Sequence, residues 1–241
     1  MCYNNRVKNK IIFLPLILLL LIPLSYAPPK HTTEEVISKF NGHFQKIKNA
    51  RADITLETSL QIFGCGSTLR QKGYGIFKSP DKIKAVLDLT TYLIKGNFIR
   101  RIEPEGKLYH IRLIHAPDFS AGFGPNLIPH NFYLKIIKDS AEEIIIEGTP
   151  KPGILKNVKK VYFHFDPKEY LLHELKMTFE NKSIKGEAKI RYEKINGLWV
   201  PVETFGRSAI EANSGTLIGF NFRLKGKNLK INSGVSEAEF N

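Results

Sequence analysis

Residues 73–89 read GYGIFKSPDKIKAVLDL, and two incompatible folds compete for them. Gly73 and Gly75, with Lys78 three residues on, have the look of a phosphate loop. Such a loop needs a strand before it and a helix after it. Here Ser79, Pro80 and Asp81 end the run in turn residues. Ile83, Ala85, Leu87 and Leu89 then alternate with Lys82, Lys84 and Asp88. Alternation with a period of two is the signature of a half-buried strand. The stretch therefore predicts strand, turn, strand, with glycines that let a strand bend. The phosphate-loop reading is rejected.

The same rhythm extends in both directions. Ala52, Ile54, Leu56, Leu60 and Ile62 share one face of a strand, with Arg51, Asp53, Thr55 and Glu57 on the other. Val161, Phe163 and Phe165 repeat it, as do Leu175, Met177 and Phe179, then Ala188, Ile190 and Tyr192, then Ile218, Phe220, Phe222 and Leu224. Each run has one dry face and one charged face, as antiparallel sheets commonly do. Turn residues punctuate them: GCGS, SPDK, EPEG, DPKEY, ENKS, KING and ANSG. Two segments differ. In HTTEEVISKFNGHFQKIKN (31–49), Val36, Ile37, Phe40, Phe44 and Ile47 recur at helical spacing, and Thr32 or Thr33 can cap a helix whose first turn holds Glu34 and Glu35. The glycine- and proline-rich residues 116–143 are long for a hairpin connection and predict a short helix around Phe132 to Lys138, as a lid or a surface loop.

The head of the chain carries Arg6, Lys8 and Lys10 without an acid, followed by an apolar run over residues 11–27. A basic head before an apolar core is a secretory signal. Ser25 and Ala27 suit its cleavage, whereas Pro28 opposes it, so residues 1–27 are a signal peptide or an uncleaved anchor. Cys2 precedes the apolar run and is no lipoprotein acylation site. Without residues 1–27, Cys65 is the single cysteine and excludes an internal disulfide. The formal charge is +13 for the whole chain, with 36 basic and 23 acidic residues. It falls to +10 when Arg6, Lys8 and Lys10 are removed. Such a charge fits an anionic membrane surface. Nucleic acid is excluded by export and by the lack of an arginine-rich helix or aromatic RNA-binding signature. No linker or repeat divides residues 31–241, which read as a single domain.

One amphipathic helix and one short helix are too little to hide so many greasy strands beneath a flat sheet. The expectation is therefore α+β: a strongly curved antiparallel sheet of roughly eleven strands forming an unclosed half-barrel, covered by the N-terminal helix and the mid-chain helix or lid.

GYGIFKSPDKIKAVL, VYFHFDPKEYLLHELKMTF, KIRYEKINGLWVPVETF and the closing NLKINSGVSEAEF, taken in order behind the N-terminal helix, resemble the LolA/LolB-type lipoprotein-localisation superfamily. The resemblance covers most of residues 31–241. It implies a periplasmic carrier whose apolar cavity accepts acyl chains between an inner-membrane donor and an outer-membrane acceptor, with no catalytic residue or cofactor. Burial of each CH₂ contributes about 0.8 kcal/mol, so a dry cavity suffices to hold a lipid tail. The lining expected is Phe40, Phe44 and Ile47 on the helix with Leu56, Phe77, Leu87, Phe179, Tyr192, Phe220 and Phe222 on the sheet; each alone reads equally as packed core. Carriers of this kind have an arginine before the strand-ending proline to control lid closure. Here Ser79 stands there with Lys78 beside it, and an ammonium lacks the forked guanidinium geometry.

Enzyme readings are weaker. His31, His43, His110, His115, His130, His164 and His173 have no metal-ligand spacing, and His164 and His173 read as exposed histidines of a polar strand face. Cys65 lies between glycines in a hairpin turn, and Glu142 and Glu143 point apart on a strand. Trp199 reads as a packing residue near a strand end. The alternative to a carrier is a membrane-tethered, non-catalytic sensor or partner-binding module of the cell envelope.

Overall fold

Thr32 caps the first helix, its hydroxyl accepting from Glu35 N at 3.1 Å, and α1 runs over Thr33–Gln45. Val36, Ile37 and Phe40 are buried along one side of it, as their spacing predicts. The computed structural model describes residues 30–240 apart from 63–64, 80–81, 96–97, 113–126, 154, 156, 181–183 and 212–216. The segment read as a signal lies outside the described residues, as do His115 and most of the glycine-rich stretch. Among the described residues, no helix is long and apolar enough to cross a membrane.

Thirteen strands follow: β1 Asn49–Ile62, β2 Cys65–Lys78, β3 Lys82–Leu87, β4 Thr90–Lys95, β5 Phe98–Ile102, β6 Leu108–Arg112, β7 Phe132–Asp139, β8 Ile144–Pro150, β9 Val158–Phe165, β10 Leu172–Phe179, β11 Lys185–Ile195, β12 Leu198–Glu211 and β13 Leu217–Ile231. A short helix α2, Leu127–Asn131, precedes β7, and a 3₁₀ turn, Glu237–Phe240, follows β13. All the strands join one sheet in the order β6-β5-β4-β3-β2-β1-β13-β12-β11-β10-β9-β8-β7. It is two antiparallel meanders, β1–β6 and β7–β13, welded by the long pairing of β1 with β13. β6 and β7, successive along the chain, stand at opposite edges.

Among the described residues the strands number thirteen and not eleven; the sheet is open and not strongly curled. The inference of curling supposed that every greasy strand must be hidden. Instead α1 covers only part of the apolar face, and the rest stays half-exposed. The short helix is α2, and Phe132 to Lys138 are strand. Phe132, Leu134 and Ile136 alternate as a strand requires, and a bulge between Ile136 and Lys138 disguised the period. Leu89 does not continue the dry face of β3. It lies with Asp88, at φ 50°, in the turn to β4 and is 75% exposed.

The opening stretch is the β2–β3 hairpin, with Lys78 opposite Lys82 and Gly73 opposite Leu87. No helix follows it, so the phosphate-loop reading fails on structure as well. Gly73 does more than permit a bend: a Cβ there would lie 1.7 Å from the Val86 carbonyl oxygen. Cys65, expected in a turn, is the first residue of β2, opposite Ile62.

The main core gathers α1 and β7–β10. Phe40 packs edge-on against Phe44 and Phe165, with ring centroids 5.0 and 5.5 Å away, and Ile144, Ile146, Phe163, Leu172 and Leu175 surround them. A second cluster, Ile47, Val200 and Ile231, seats the end of α1 near β12 and β13. Polar ties fix the helix. His31 meets Asp139 at 3.0 Å and the Tyr170 hydroxyl at 3.1 Å; Lys39 donates to that hydroxyl at 3.0 Å, and His43 lies 2.6 Å from the Glu169 carbonyl.

Candidate functional site

Pairing partners in a sheet share a face, so the register shows what each face carries. One row runs across nine strands: Ile136, Ile146, Phe163, Leu175, Ala188, Gly206, Phe222, Thr58 and Leu69. It contains no charged residue. Burial fades along it, from 0% exposure at Ile146 and 1% at Phe163 to 58% at Leu69. Neighbouring positions on this face behave alike: Leu60, opposite Phe220 and Ser67, and Leu224, opposite Leu56, are exposed. Under α1 the apolar face is sealed core. Beyond α1, over β13, β1 and β2, it is an open apolar strip.

The ten residues expected to line a cavity divide along that boundary. Phe40, Ile47 and Leu87 are fully buried. Phe44, Tyr192 and Phe77 are partly buried and pack at the margin of the core. Phe44 lies 6.4 Å from the Tyr192 ring, and the Tyr192 hydroxyl donates to the Leu172 carbonyl at 3.0 Å. Burial holds that phenol well above its ordinary range. Leu56, Phe179, Phe220 and Phe222 are half-buried. Phe220 and Phe222 stand 6.3 Å apart, and Phe222 lies over Gly206, where a Cβ would come within 2.2 Å of its ring. Sequence reasoning left Leu60, Leu69 and Leu224 out of the lining. Leu69 sits in a polar run without alternation, and only its pairing with Thr58 reveals its face.

Lys78 and Ser79, at the position where the resemblance implies lid control, each have a defined partner. Lys78 Nζ lies 2.8 Å from Glu237, which Lys82 also contacts. Ser79 is exposed, and its N–H donates to the Lys48 carbonyl at 2.8 Å. Lys78 and then Lys82 hold the Glu237 carboxyl down to about 2. Arg51 pairs with Glu239, and Lys84 donates to the Glu239 carbonyl at 2.7 Å. The 3₁₀ turn is thus strapped ionically to β1–β3. Asn232 ties the same region to the end of α1, accepting from Lys48 N at 2.8 Å and donating to the Lys46 carbonyl at 2.9 Å.

His164 departs from its expectation. It is only 7% exposed, on a strand flanked by β8 and β10, with Nδ1 2.7 Å from Glu143. His173 is half-buried and lies 3.7 Å from the same carboxylate. Burial opposes ionisation of Glu143, but its hydrogen bonds to His164 and Lys138 prevail and hold its pKa below the ordinary range. Among the described residues no group of three or more His, Cys, Asp or Glu is placed to hold a metal ion. Trp199 donates to Glu169 at 3.0 Å, with Lys194 over its ring.

No protein-family model and no curated protein matches the chain by sequence. Solved structures do match in fold. A putative outer membrane lipoprotein-sorting protein domain from Vibrio parahaemolyticus superposes with a TM-score of 0.61 at 12% identity, covering 87% of this chain and 97% of that one. A LolA superfamily protein from Nitrosomonas europaea gives 0.60 at 10% identity, over 88% and 98% of the two chains. A DUF1329 family protein from Desulfovibrio piger gives 0.60 at 15% identity, over 86% and 95%. The likeness is one of fold: the chain shares the architecture of these three structures over most of its length.

Proposed function

We propose that the protein is an exported, non-catalytic carrier that binds acyl chains of lipoproteins or lipids on its apolar face and moves them through the periplasm toward the outer membrane. The observation that carries this reading is the uncharged row that passes from sealed core at Ile146 to open surface at Leu69. An apolar strip continuous with the core gives a lipid tail a dry surface to lie on, and the transfer of each CH₂ contributes about 0.8 kcal/mol. Phe179, Phe220, Phe222 and Leu56 are the contacts proposed for the tail; Phe44, Phe77 and Tyr192 form its inner wall; Phe40, Ile47 and Leu87 support that wall from the core. The LolA-type fold supports lipid handling without any cofactor. An inner-membrane donor and an outer-membrane acceptor are the partners this reading calls for. Residues 31–241 form the carrier domain, and cleavage after Ala27 frees it.

Organic extraction of the gently purified exported protein, with mass spectrometry of the extract, tests the proposal. Stoichiometric acylated ligand is expected, and its headgroup separates lipoprotein from free lipid. An empty protein that takes up no hydrophobic fluorophore sinks the carrier reading and favours the partner-binding module. Intact mass checks the release: retention of residues 1–27 excludes a diffusing shuttle.

A further inference from the structure

The opposite face of the sheet has a separate character. Three successive rows cross it. The first holds Lys135, Glu147, Tyr162, Lys176, Glu187, Arg207, Asn221, Ser59 and Thr68; the second Ile145, His164, Glu174, Lys189, Phe205, Arg223, Glu57 and Arg70; the third Arg191, Glu203, Lys225, Thr55 and Lys72. Together they carry nine Lys or Arg against five Glu. The carboxylates are taken up locally: Glu187 by Arg207 at 2.6 Å, Glu174 by Lys176 at 2.7 Å, and Glu203 by Arg191 at 3.2 Å and by Arg223. These three rows keep a surplus of four positive charges, while the uncharged row on the other face has none.

Two grooves indent the charged face. One, of about 640 Å³, runs over β9–β13 and is lined by Tyr162, Lys176, Lys185, Arg207 and Asn221 among others. Lys185 has no ion-pair partner among the described residues. The second, of about 390 Å³, is bounded by Lys189, Arg191, Glu203, Phe205 and Arg223, with Phe205 36% exposed. Cations interleaved with a tyrosine and an exposed phenylalanine, over a broad and shallow area, match the headgroup layer of an anionic bilayer. Phosphates there meet Lys and Arg, and aromatic rings favour the level between headgroup and chain. Most side chains bounding the two grooves are charged or polar, yet the surface they present is largely their aliphatic parts, as on a face where cationic heads meet phosphate and their stems meet the layer below.

We infer that the charged face of β9–β13 docks the protein on anionic phospholipid, with Lys176, Lys185 and Arg207 as the principal headgroup contacts and with the apolar strip facing the other way. This names the membrane partner of the carrier proposed above and rests on that reading for the encounter with a membrane. The two are measured separately, because headgroup docking uses one face and tail binding the other. A carrier held this way keeps its apolar face open to a second protein or to a lipid leaving one.

Co-sedimentation of the exported protein with vesicles of phosphatidylcholine, with and without phosphatidylglycerol, tests the inference. Binding is expected only to the anionic vesicles and is expected to weaken steeply with salt. At about 1 kcal/mol per cation near the surface, and with Lys176 and Arg207 already partly offset by Glu174 and Glu187, replacing Lys176, Lys185 and Arg207 together by Gln reduces it more than tenfold. Replacing Lys30, Lys46 and Lys168 by Gln removes the same charge elsewhere and leaves it within about threefold of the parent. Lys185→Glu, which breaks no ion pair among the described residues, supplies a second variant should the triple one fold poorly. It is expected to lose more than tenfold. Equal losses in the two triple variants, salt-insensitive binding, or equal binding to neutral vesicles overturns the inference. So does binding to polyglutamate without binding to either vesicle, which assigns the face to an acidic protein. Uptake of a hydrophobic fluorophore stays unchanged in every one of these variants if the tail-binding reading holds; its absence in the parent sinks that reading alone.

Discussion

Gly73 and Gly75 are neighbours on one strand with different reasons to be glycine. A side chain at Gly73 runs into the Val86 carbonyl, which is backbone and cannot swing aside. At Gly75 the nearest atom is Ile54 Cγ2 at 3.4 Å, an ordinary contact. Gly73→Ala is therefore expected to destabilise by at least about 2 kcal/mol, with Gly75→Ala within about 1 kcal/mol of the parent; urea unfolding of the two variants checks the contrast. The charged strap gives a second residue-scale prediction. The Glu237 carboxyl, between Lys78 and Lys82, is lowered to about 2 from the ordinary 4.5. Its folded value lies below its unfolded one, so what this contact contributes is fully present above about pH 4.5 and is lost as pH falls toward 2. Carbon-13 NMR titration of the carboxyl is expected to show that low midpoint. Lys78→Gln with Lys82→Gln should return it near 4.5. A carboxyl that titrates normally in the parent contradicts the strap.

At the scale of elements, α1 decides which part of the sheet is core. Its apolar stripe was legible because 3.6-residue periodicity is local, and Thr32 and Glu35 mark its start in the sequence itself. Phe40, wedged between Phe44 and Phe165, is 1% exposed. Phe40→Ala is expected to cost about 3–5 kcal/mol. Phe222, half-buried beyond the reach of α1, is a different case. Phe222→Ala is expected to cost roughly 1 kcal/mol yet to reduce uptake of a hydrophobic fluorophore severalfold. Thermal melts and fluorophore titration on the same preparations separate the two. Equal melts and unchanged uptake for Phe222→Ala remove the strip from any binding role. β7 shows the limit of local reading: its bulge shifts the alternation by one residue, and a shifted alternation over so short a run imitates a helix.

For the whole molecule the consequential feature is the separation of an apolar face, crossed by an uncharged row over nine strands, from a charged one on a single open sheet. Tail binding is expected to be indifferent to ionic strength, because apolar burial carries no screening term, whereas membrane docking is screened over roughly 10 Å at ordinary salt. Fluorophore affinity and vesicle affinity measured across one salt series should therefore diverge. Parallel loss of both with salt indicates that one charged site performs both tasks.

Strand identity, the N-terminal helix and the two-faced character of each strand belong to the sequence, because alternation and helical spacing are properties of neighbouring residues. The number of strands was undercounted where alternation was short, as in β4 to β6. What tertiary structure alone decided is where those faces meet. β1 pairs with β13 across almost the whole chain, and that pairing places Phe222 beside Thr58 and so extends the row to Leu69. It also decided that α1 stops short of that strip. A greasy face must be covered only as far as folding requires, and the core over β7–β10 supplies the burial. Which residues lie bare beyond it is a matter of the helix's position on the sheet, which no local pattern encodes.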